Sequence, residues 1–206
     1  MDKELSSIHY DQYLQLQKIL DAQKLRSVEF NKPAHDEMLF IIVHQVYELW
    51  FKEILHDLAS VMELFSEGTV EESQIGIAIS RLDRVVKIQK ILVDQIDIIE
   101  TITPLDFLDF RNYLLPASGF QSFQFRQLEV SLGLKREKRI SYTQCSYSGV
   151  FSDQEQEILS KLEAGDSMFD LVEKWLERTP FLQFETFDFI EEYKKSVKLM
   201  LQREEE

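Results

Sequence analysis

One of the most apolar stretches of the sequence carries a histidine and a carboxylate near its middle. Residues 35–55 read HDEMLFIIVHQVYELWFKEIL, in which His44 and Glu48 lie four residues apart. On a helix, residues four apart share a face, so Phe40, His44 and Glu48, with Glu37 and Phe51 near the same line, form one stripe. The stripe has two interpretations. His44 is either a core residue hydrogen-bonded to a neighbouring carboxylate, or a pocket residue beside an aromatic ring that acts as an acid, a base or a hydrogen-bond donor.

Two further positions carry groups suited to ligand binding. Arg111 follows Phe107 by four residues on a segment that is otherwise rich in phenylalanine and leucine. Its guanidinium either extends outward into solvent or pairs with the carboxylate of a ligand, for which its planar fork is well suited. The Ser118–Gly119 turn is either an ordinary turn or a place where backbone N–H groups approach a ligand, since glycine allows close approach.

A metal site is the weaker alternative. Glu53 and His56 have the i, i+3 spacing used by di-iron carboxylate bundles. Such a site needs a second pair of this kind from another helix, and no histidine follows His56 in the sequence. We therefore expect no metal ligand in this chain.

The elements that carry these residues are predicted to be helices throughout. Apolar residues recur at spacings of three and four residues, and no strand pattern rises above noise. Thr103, Pro104 and Asp106 form a helix start, because threonine caps, proline fits the first turn and aspartate follows at the third position. The predicted helices cover about residues 10–23, 34–66, 70–101, 103–116 and 120–133, two short segments capped by Ser152 with Glu155 and by Asp166, and a last segment from Asp188. Residues 134–151 are predicted to form a surface loop.

Composition is typical of a soluble helical protein. Of its 206 residues, 44% are hydrophobic and only 6 are Gly and 4 Pro, which suits a helical core and not a β-protein with many tight turns. The net charge of −14 argues against nucleic-acid binding. A single cysteine fits a reducing compartment, and we see neither a signal peptide nor an uncharged membrane-spanning stretch. We expect one all-α domain over residues 1–206, located in the cytoplasm, with no membrane or nucleic-acid partner.

Three segments give the sequence a resemblance to a known family. PAHDEMLFIIVHQVYELWFKEIL, TPLDFLDFRNYLLPASGFQSFQFRQLE and the N-terminal YDQYLQL resemble the tryptophan 2,3-dioxygenases. Members of that family are all-α haem enzymes that insert dioxygen into the indole ring of L-tryptophan to give N-formylkynurenine, and they act as homotetramers. The resemblance therefore implies haem as cofactor, L-tryptophan and O2 as substrates, a homo-oligomer, and a role in the kynurenine route of tryptophan degradation.

The resemblance also implies roles for individual residues. His44 would be the catalytic residue that hydrogen-bonds the indole N–H on the distal side of the haem, Phe40 would pack against the indole, and Arg111 would pair with the substrate carboxylate. The implied substrate-binding residues of one subunit are Phe40, Ile41, Ile42, Val43, His44, Phe107, Arg111, Ser118 and Gly119. The residues that match the N-terminal helix which the family lends to a neighbouring subunit's active site are Tyr10, Tyr13 and Leu14.

The sequence departs from the family pattern in two places. Phe107 stands where many members have a tyrosine, so the ring is kept and a hydroxyl near the carboxylate site is lost. The family's haem iron is held by a histidine near the C-terminus, followed by a glycine- and serine-rich loop, whereas the last histidine here is His56 and the last glycine is Gly165. The expected fold is a multi-helix bundle of the haem-dependent tryptophan dioxygenase type without its C-terminal helices.

Two hypotheses follow from these departures. The first is a truncated or split tryptophan dioxygenase. The second is a non-catalytic relative that binds an indole ligand or serves as an assembly subunit.

Overall fold

A computed structural model describes residues 7–66, 70–139, 150–178, 183–184 and 187–204 of the chain. The chain groups into two compact units. Unit 1 comprises residues 1–53 and 87–122, and unit 2 comprises residues 54–86 and 123–206. The chain passes between the units at three points: two of them, after residues 53 and 86, fall within long helices, and the third, after residue 122, precedes a helix. The expectation of one domain over residues 1–206 stays a prediction.

Helices make up most of the described residues, and the all-α prediction is confirmed. In chain order they are α1 (Tyr10–Leu14), α2 (Leu16–Leu20), α3 (Arg26–Glu29), α4 (Glu37–Ser66), α5 (Glu72–Asp94), α6 (Ile96–Ile99), α7 (Pro104–Leu114), α8 (Phe123–Leu132), α9 (Asp153–Ala164), α10 (Met168–Arg178) and α11 (Phe189–Glu204). Short 3-10 turns lie at Gly119–Gln121 and Arg136–Lys138.

One small strand pair was not expected from the sequence. Strands β1 (Gln183–Phe184) and β2 (Phe187–Asp188) pair antiparallel, with Gln183 opposite Asp188. Two residues are too few to produce an alternation of apolar and polar side chains, so the sequence does not predict the pair.

The N-terminal segment differs from the single helix predicted for residues 10–23. It forms two helical turns, α1 and α2, because Gln15 adopts a left-handed conformation with φ of 52°. Neither turn has a buried residue, so little apolar packing is present to favour a continuous helix. The predicted 70–101 helix is likewise divided, at Gln95, into α5 and α6.

Side-chain caps fix where two helices begin, as the sequence predicts. At α7, Thr103 Oγ1 accepts the backbone N–H of Asp106 at 3.3 Å, and Pro104 occupies the first turn, where its missing N–H costs nothing. At α9, Ser152 and Glu155 form a reciprocal capping box. The hydrogen bonds from Ser152 hold the pKa of the Glu155 carboxyl below its usual range.

The cap predicted for α10 is wrong by one residue. Ser167 Oγ accepts the backbone N–H of Asp170 at 3.2 Å, and the Ser167 N–H donates in return to the Asp170 carboxylate at 2.9 Å. Asp166 instead pairs with Lys174. Both residues are good helix caps, and the reciprocal partner three residues on decides which one is used.

In unit 2, the second half of α4 supplies a buried stripe. Ile54, Leu58 and Val61 are fully buried, and Phe65 is 6% exposed. Their spacing of four, three and four residues places them on one helix face. Phe65 meets Trp175 of α10 edge to face, with ring centroids 5.6 Å apart.

A second cluster of unit 2 lies where α8 packs against α9 and α10. Val130, Phe151 and Leu159 form its buried part. Gly133 ends α8 with φ of +94°, in the left-handed region, and a Cβ at that position would lie 2.8 Å from Ser167 Oγ. Glycine is therefore required at 133 by both conformation and space.

Gly133→Ala should destabilise the chain, because alanine disfavours the left-handed conformation and its methyl group would collide with Ser167. We expect a loss of about 1–3 kcal/mol in the free energy of unfolding, measured in urea. Gly76→Ala is the matched control. Gly76 lies in α5 with no atom within 4 Å of an added Cβ, so alanine should stabilise that helix by up to about 1 kcal/mol. A Gly133→Ala variant as stable as wild type would contradict the assignment.

The Ser167–Asp170 box should make stability depend on pH in acid. Hydrogen bonds from the Ser167 side chain and backbone hold the pKa of the Asp170 carboxyl below its usual range. Because the folded-state pKa is the lower one, this stabilisation is complete above the unfolded pKa of about 3.9 and is lost as pH falls through the folded-state pKa. Ser167→Ala should cost about 1 kcal/mol at neutral pH. Urea unfolding at several pH values should show this difference shrinking below about pH 4; a difference that is constant with pH would count against it.

Candidate functional site

Two helices of unit 1, α4 and α7, bring together aromatic rings around Phe40. The Phe40 ring lies 5.8 Å from the Phe107 ring and 5.5 Å from the Phe110 ring, measured between centroids. Phe107 and Phe110 meet edge to face at 5.3 Å. Phe110 is fully buried, whereas Phe40 and Phe107 are half-buried. The cluster therefore has a closed inner side at Phe110 and accessible ring surface at Phe40 and Phe107.

Local sequence explains why these rings meet. The Thr103 cap sets the first residue of α7, and Phe107 and Phe110, three residues apart, then share the face that contacts Phe40. Edge-to-face ring pairs add about 0.5–1.5 kcal/mol beyond the area that they bury. Phe110 was not among the predicted site residues, and its three-residue spacing from Phe107 was the signal that would have found it.

His44 lies one turn after Phe40 on α4, and the two rings pack with centroids 4.2 Å apart. The hydrogen-bond partner of the imidazole is the Phe40 carbonyl oxygen, 2.7 Å from Nδ1, and not Glu48. Because a carbonyl oxygen only accepts, Nδ1 carries the proton, and the neutral ring then has a lone pair on Nε2. Within the described part of the chain, no group hydrogen-bonds that Nε2. His44 thus offers an acceptor beside an aromatic face.

The five consecutive residues expected to form a pocket wall point in different directions. Successive residues of a helix are rotated by about 100°, so five in a row cover the whole circumference. Val43 is buried in the core with 7% exposure, Ile41 is half-buried, and Ile42 is 41% exposed. Of the five, the structure brings the rings of Phe40 and His44 together.

Arg111 and the Ser118–Gly119 turn are exposed. Arg111 lies one turn after Phe107 on α7 and forms no salt bridge with any described residue. Ser118 caps the 3-10 turn, and its N–H already donates to Gln121 Oε1 at 3.0 Å. At Gly119, an added Cβ would meet no atom within 4 Å, so open space lies beside this residue.

The N-terminal residues of the prediction lie on α1 and are largely exposed. Tyr10 and Tyr13 are 73% and 72% exposed, and Leu14 is 37% exposed. Two tyrosines and a leucine thus lie close together on one helical turn and keep much of their side-chain surface in solvent.

The described residues contain no arrangement of three His, Cys, Asp or Glu side chains that would hold a metal ion. Over the same residues, no helix has the length and apolar character needed to cross a bilayer.

The fold and this site define an all-α protein with an imidazole–aromatic face built on two helices. The sequence model of the tryptophan 2,3-dioxygenase family matches residues 1–206, which is the whole chain. The chain therefore belongs to the tryptophan 2,3-dioxygenase family, and the resemblance that its three motifs indicated is confirmed.

Curated relatives agree with this assignment. The chain is 52% identical to the tryptophan 2,3-dioxygenase of Bdellovibrio bacteriovorus over 95% of its own length and 54% of the relative's. It is 51% identical to that of Alteromonas mediterranea, over 98% of the chain and 56% of the relative. It is 45% identical to the Dictyostelium discoideum protein of the same name, over 96% of the chain and 49% of the relative. The chain spans about half the length of the curated relatives that it matches.

The protonation of His44 can be tested directly. The neutral imidazole should carry its proton on Nδ1, because the Phe40 carbonyl 2.7 Å away can only accept. Long-range 15N–1H correlation spectra of the 15N-labelled chain, recorded well above the histidine titration, distinguish the two tautomers. Assignment follows from the signals that disappear in His44→Ala. A proton found on Nε2 would contradict the geometry.

Proposed function

We propose that the chain acts in the haem-dependent insertion of dioxygen into the indole ring of L-tryptophan, giving N-formylkynurenine in the first step of tryptophan degradation. The open Nε2 of His44 beside the Phe40 ring carries this proposal. An indole N–H only donates, so it needs an acceptor such as Nε2. Because the Phe40 carbonyl holds the proton on Nδ1, the acceptor faces the ligand before it binds.

The indole ring packs on the accessible faces of Phe40 and Phe107. Both rings are half-buried and supported from beneath by Phe110, so they form a firm apolar surface. Flat aromatic ligands gain from offset or edge contacts with such rings. Phe107 has no hydroxyl, so its contribution is apolar only.

Arg111 recognises the other end of the amino acid. Its exposed guanidinium has no salt-bridge partner in the described part of the chain. A guanidinium pairs with a carboxylate through two parallel hydrogen bonds, which fixes the orientation of the ligand as well as its charge. The open space beside Gly119, in the turn that Ser118 caps, suits the same polar end of the substrate.

We infer that the chain forms a homo-oligomer, a tetramer as in its family, and acts in the cytoplasm. The exposed Tyr10, Tyr13 and Leu14 of α1 complete the substrate site of a neighbouring subunit. Burial there removes from water an apolar surface that is exposed on the single chain. The single cysteine among 206 residues supports a reducing compartment.

Haem, when bound, supplies the iron at which dioxygen is activated. His9, His35 and His56 are exposed, and His44 is assigned to the substrate. The described residues that would face haem are those of the substrate side of its pocket, with the rings of Phe40 and His44 packed together. The work of this chain's residues is to orient the indole, accept its N–H and bind the carboxylate.

Arg111→Leu should weaken L-tryptophan binding by at least about tenfold, which corresponds to roughly 1.4 kcal/mol, because the carboxylate loses its bidentate partner. Tryptamine lacks the carboxylate, so its affinity should hardly change. Isothermal titration calorimetry with both ligands measures the difference.

Two variants control this experiment. His44→Ala should weaken both ligands, because both share the indole N–H. Lys90→Leu removes the same charge from an exposed position of α5 in unit 1, and should leave both affinities unchanged. Equal losses for tryptophan and tryptamine in Arg111→Leu would mean that Arg111 is structural, and the proposed carboxylate site would be wrong.

A further inference from the structure

We propose that Glu37 is a positioning residue for tryptophan recognition. It fixes the placement of α3 on α4 and, through α3, the placement of α7, which carries Arg111. The proposal rests on the proposed function, because it concerns how the two ends of one bound amino acid are held at the correct separation. No sequence motif pointed to Glu37 in this role.

The Glu37 carboxylate is buried and caps a helix other than its own. It is 0% exposed at the first residue of α4. One oxygen accepts the backbone N–H of Arg26 at 2.8 Å, and the other accepts that of Ser27 at 3.0 Å. These N–H groups open α3, whose own cap residue, Leu25, supplies no side-chain hydrogen bond. A buried carboxylate is tolerable only with such partners, so both hydrogen bonds are required by the fold.

A third hydrogen bond closes the same loop. Ser27 is fully buried, and its Oγ accepts the backbone N–H of Ala34 at 3.0 Å. Residues 26–37 therefore form a closed connection in which α3 is held to the start of α4 by three directional hydrogen bonds. Phe40 and His44 follow on α4 within two turns of Glu37.

The other side of α3 contacts α7. Directly after α3, the ring of Phe30 stacks on that of Tyr113, with centroids 4.8 Å apart and planes inclined by 14°. Tyr113 lies two residues after Arg111 on the same helix. A shift of α3 therefore moves the helix that presents the guanidinium.

Three helices thus form a closed triangle of contacts. On the direct side, α7 meets α4 through Phe40, Phe107 and Phe110. Each of these ring pairs adds only about 0.5–1.5 kcal/mol beyond the area that it buries, so by themselves they leave α7 some freedom to shift over α4. The hydrogen bonds of Glu37 fix the remaining freedom. L-tryptophan spans from His44 to Arg111, so its affinity depends on the position of α7 relative to α4. Tryptamine uses the indole end alone, so its affinity does not.

The test is Glu37→Gln in the full chain. Glutamine keeps the volume, but its NH2 group faces a backbone N–H, so one hydrogen bond is replaced by two opposed donors. We expect tryptophan to lose about tenfold in affinity while tryptamine stays within about twofold, because a small misplacement of Arg111 affects only the ligand that uses it. Calorimetry with both ligands gives the ratio. Hydrogen exchange at the amides of Arg26 and Ser27 should accelerate.

A matched control separates positioning from general stability. Ser167→Ala breaks a cap in unit 2, so it should lower the free energy of unfolding without changing the preference for tryptophan over tryptamine. If Glu37→Gln lowers both affinities together, or changes neither, Glu37 is merely structural and the proposal is overturned.

Phe30→Leu tests the contact between α3 and α7 independently, because it leaves the buried carboxylate of Glu37 unchanged. Phe30 is 52% exposed, and leucine removes the stack on Tyr113 while leaving the Glu37 hydrogen bonds. It should reduce the tryptophan preference in the same direction, and the double variant should lose less than the sum of the two single losses. Additive losses, or a full preference in Phe30→Leu, would overturn the route through α3.

The outcomes also distinguish the two proposals. A wild-type chain that shows no preference for tryptophan over tryptamine overturns the carboxylate site and this inference with it. A preference that Arg111→Leu abolishes and Glu37→Gln preserves overturns the role of Glu37 alone.

Discussion

Contact between the rings of α4 and α7 is the interaction on which the site depends. Phe110 is excluded from water, and it supports Phe40 and Phe107, which keep accessible surface. An aromatic residue buried to this extent contributes several kcal/mol, and removing such a ring typically costs about 3–5 kcal/mol. The same contact places the imidazole of His44 beside an apolar face. Stability and ligand recognition therefore draw on one cluster.

Three polar side chains of unit 1 take their hydrogen-bond partners from the backbone. His44 donates to the Phe40 carbonyl, Glu37 accepts two backbone N–H groups, and the Tyr47 hydroxyl donates to the Leu92 carbonyl. Burial raises the pKa of Tyr47, so its phenol remains a donor at neutral pH. Backbone partners have fixed directions, since they are part of the helices themselves. Each bond therefore orients a side chain with respect to a helix and supplements the modest energy of the ring contacts.

Which of these features the sequence predicts depends on how many residues separate the interacting partners along the chain. The start of α7 at Thr103 and the shared face of Phe40 and His44 depend on residues at most four apart, so the sequence alone predicts them. The cap of α3 joins residues 10 and 11 apart through a side chain, and no local pattern reports it. The break at Gln15 reflects missing packing on α1 and α2, which periodicity does not measure.

The site shows the same division. Sequence spacing indicated that His44 lies beside Phe40, and the resemblance supplied candidate roles, but neither determined which ring nitrogen carries the proton. That follows only from the position of the Phe40 carbonyl. The contact between Phe110 and Phe40 is also a tertiary fact, because it joins α4 to α7 across about seventy residues. The sequence alone predicts which residues are neighbours on one helix. It does not predict how their polar atoms are oriented or which residues of other helices they contact.

Phe107 adds a constraint that connects these points. Its ring has no hydroxyl, so it offers no hydrogen bond to the carboxylate that we propose Arg111 binds. Under the proposed function, recognition of that carboxylate depends on Arg111, whose guanidinium pairs bidentately only in a restricted geometry. A site with fewer polar contacts tolerates less error in the placement of the helix that supplies them. This is the physical reason why we propose that the buried carboxylate of Glu37, which accepts two backbone N–H groups of α3, affects specificity without touching the ligand.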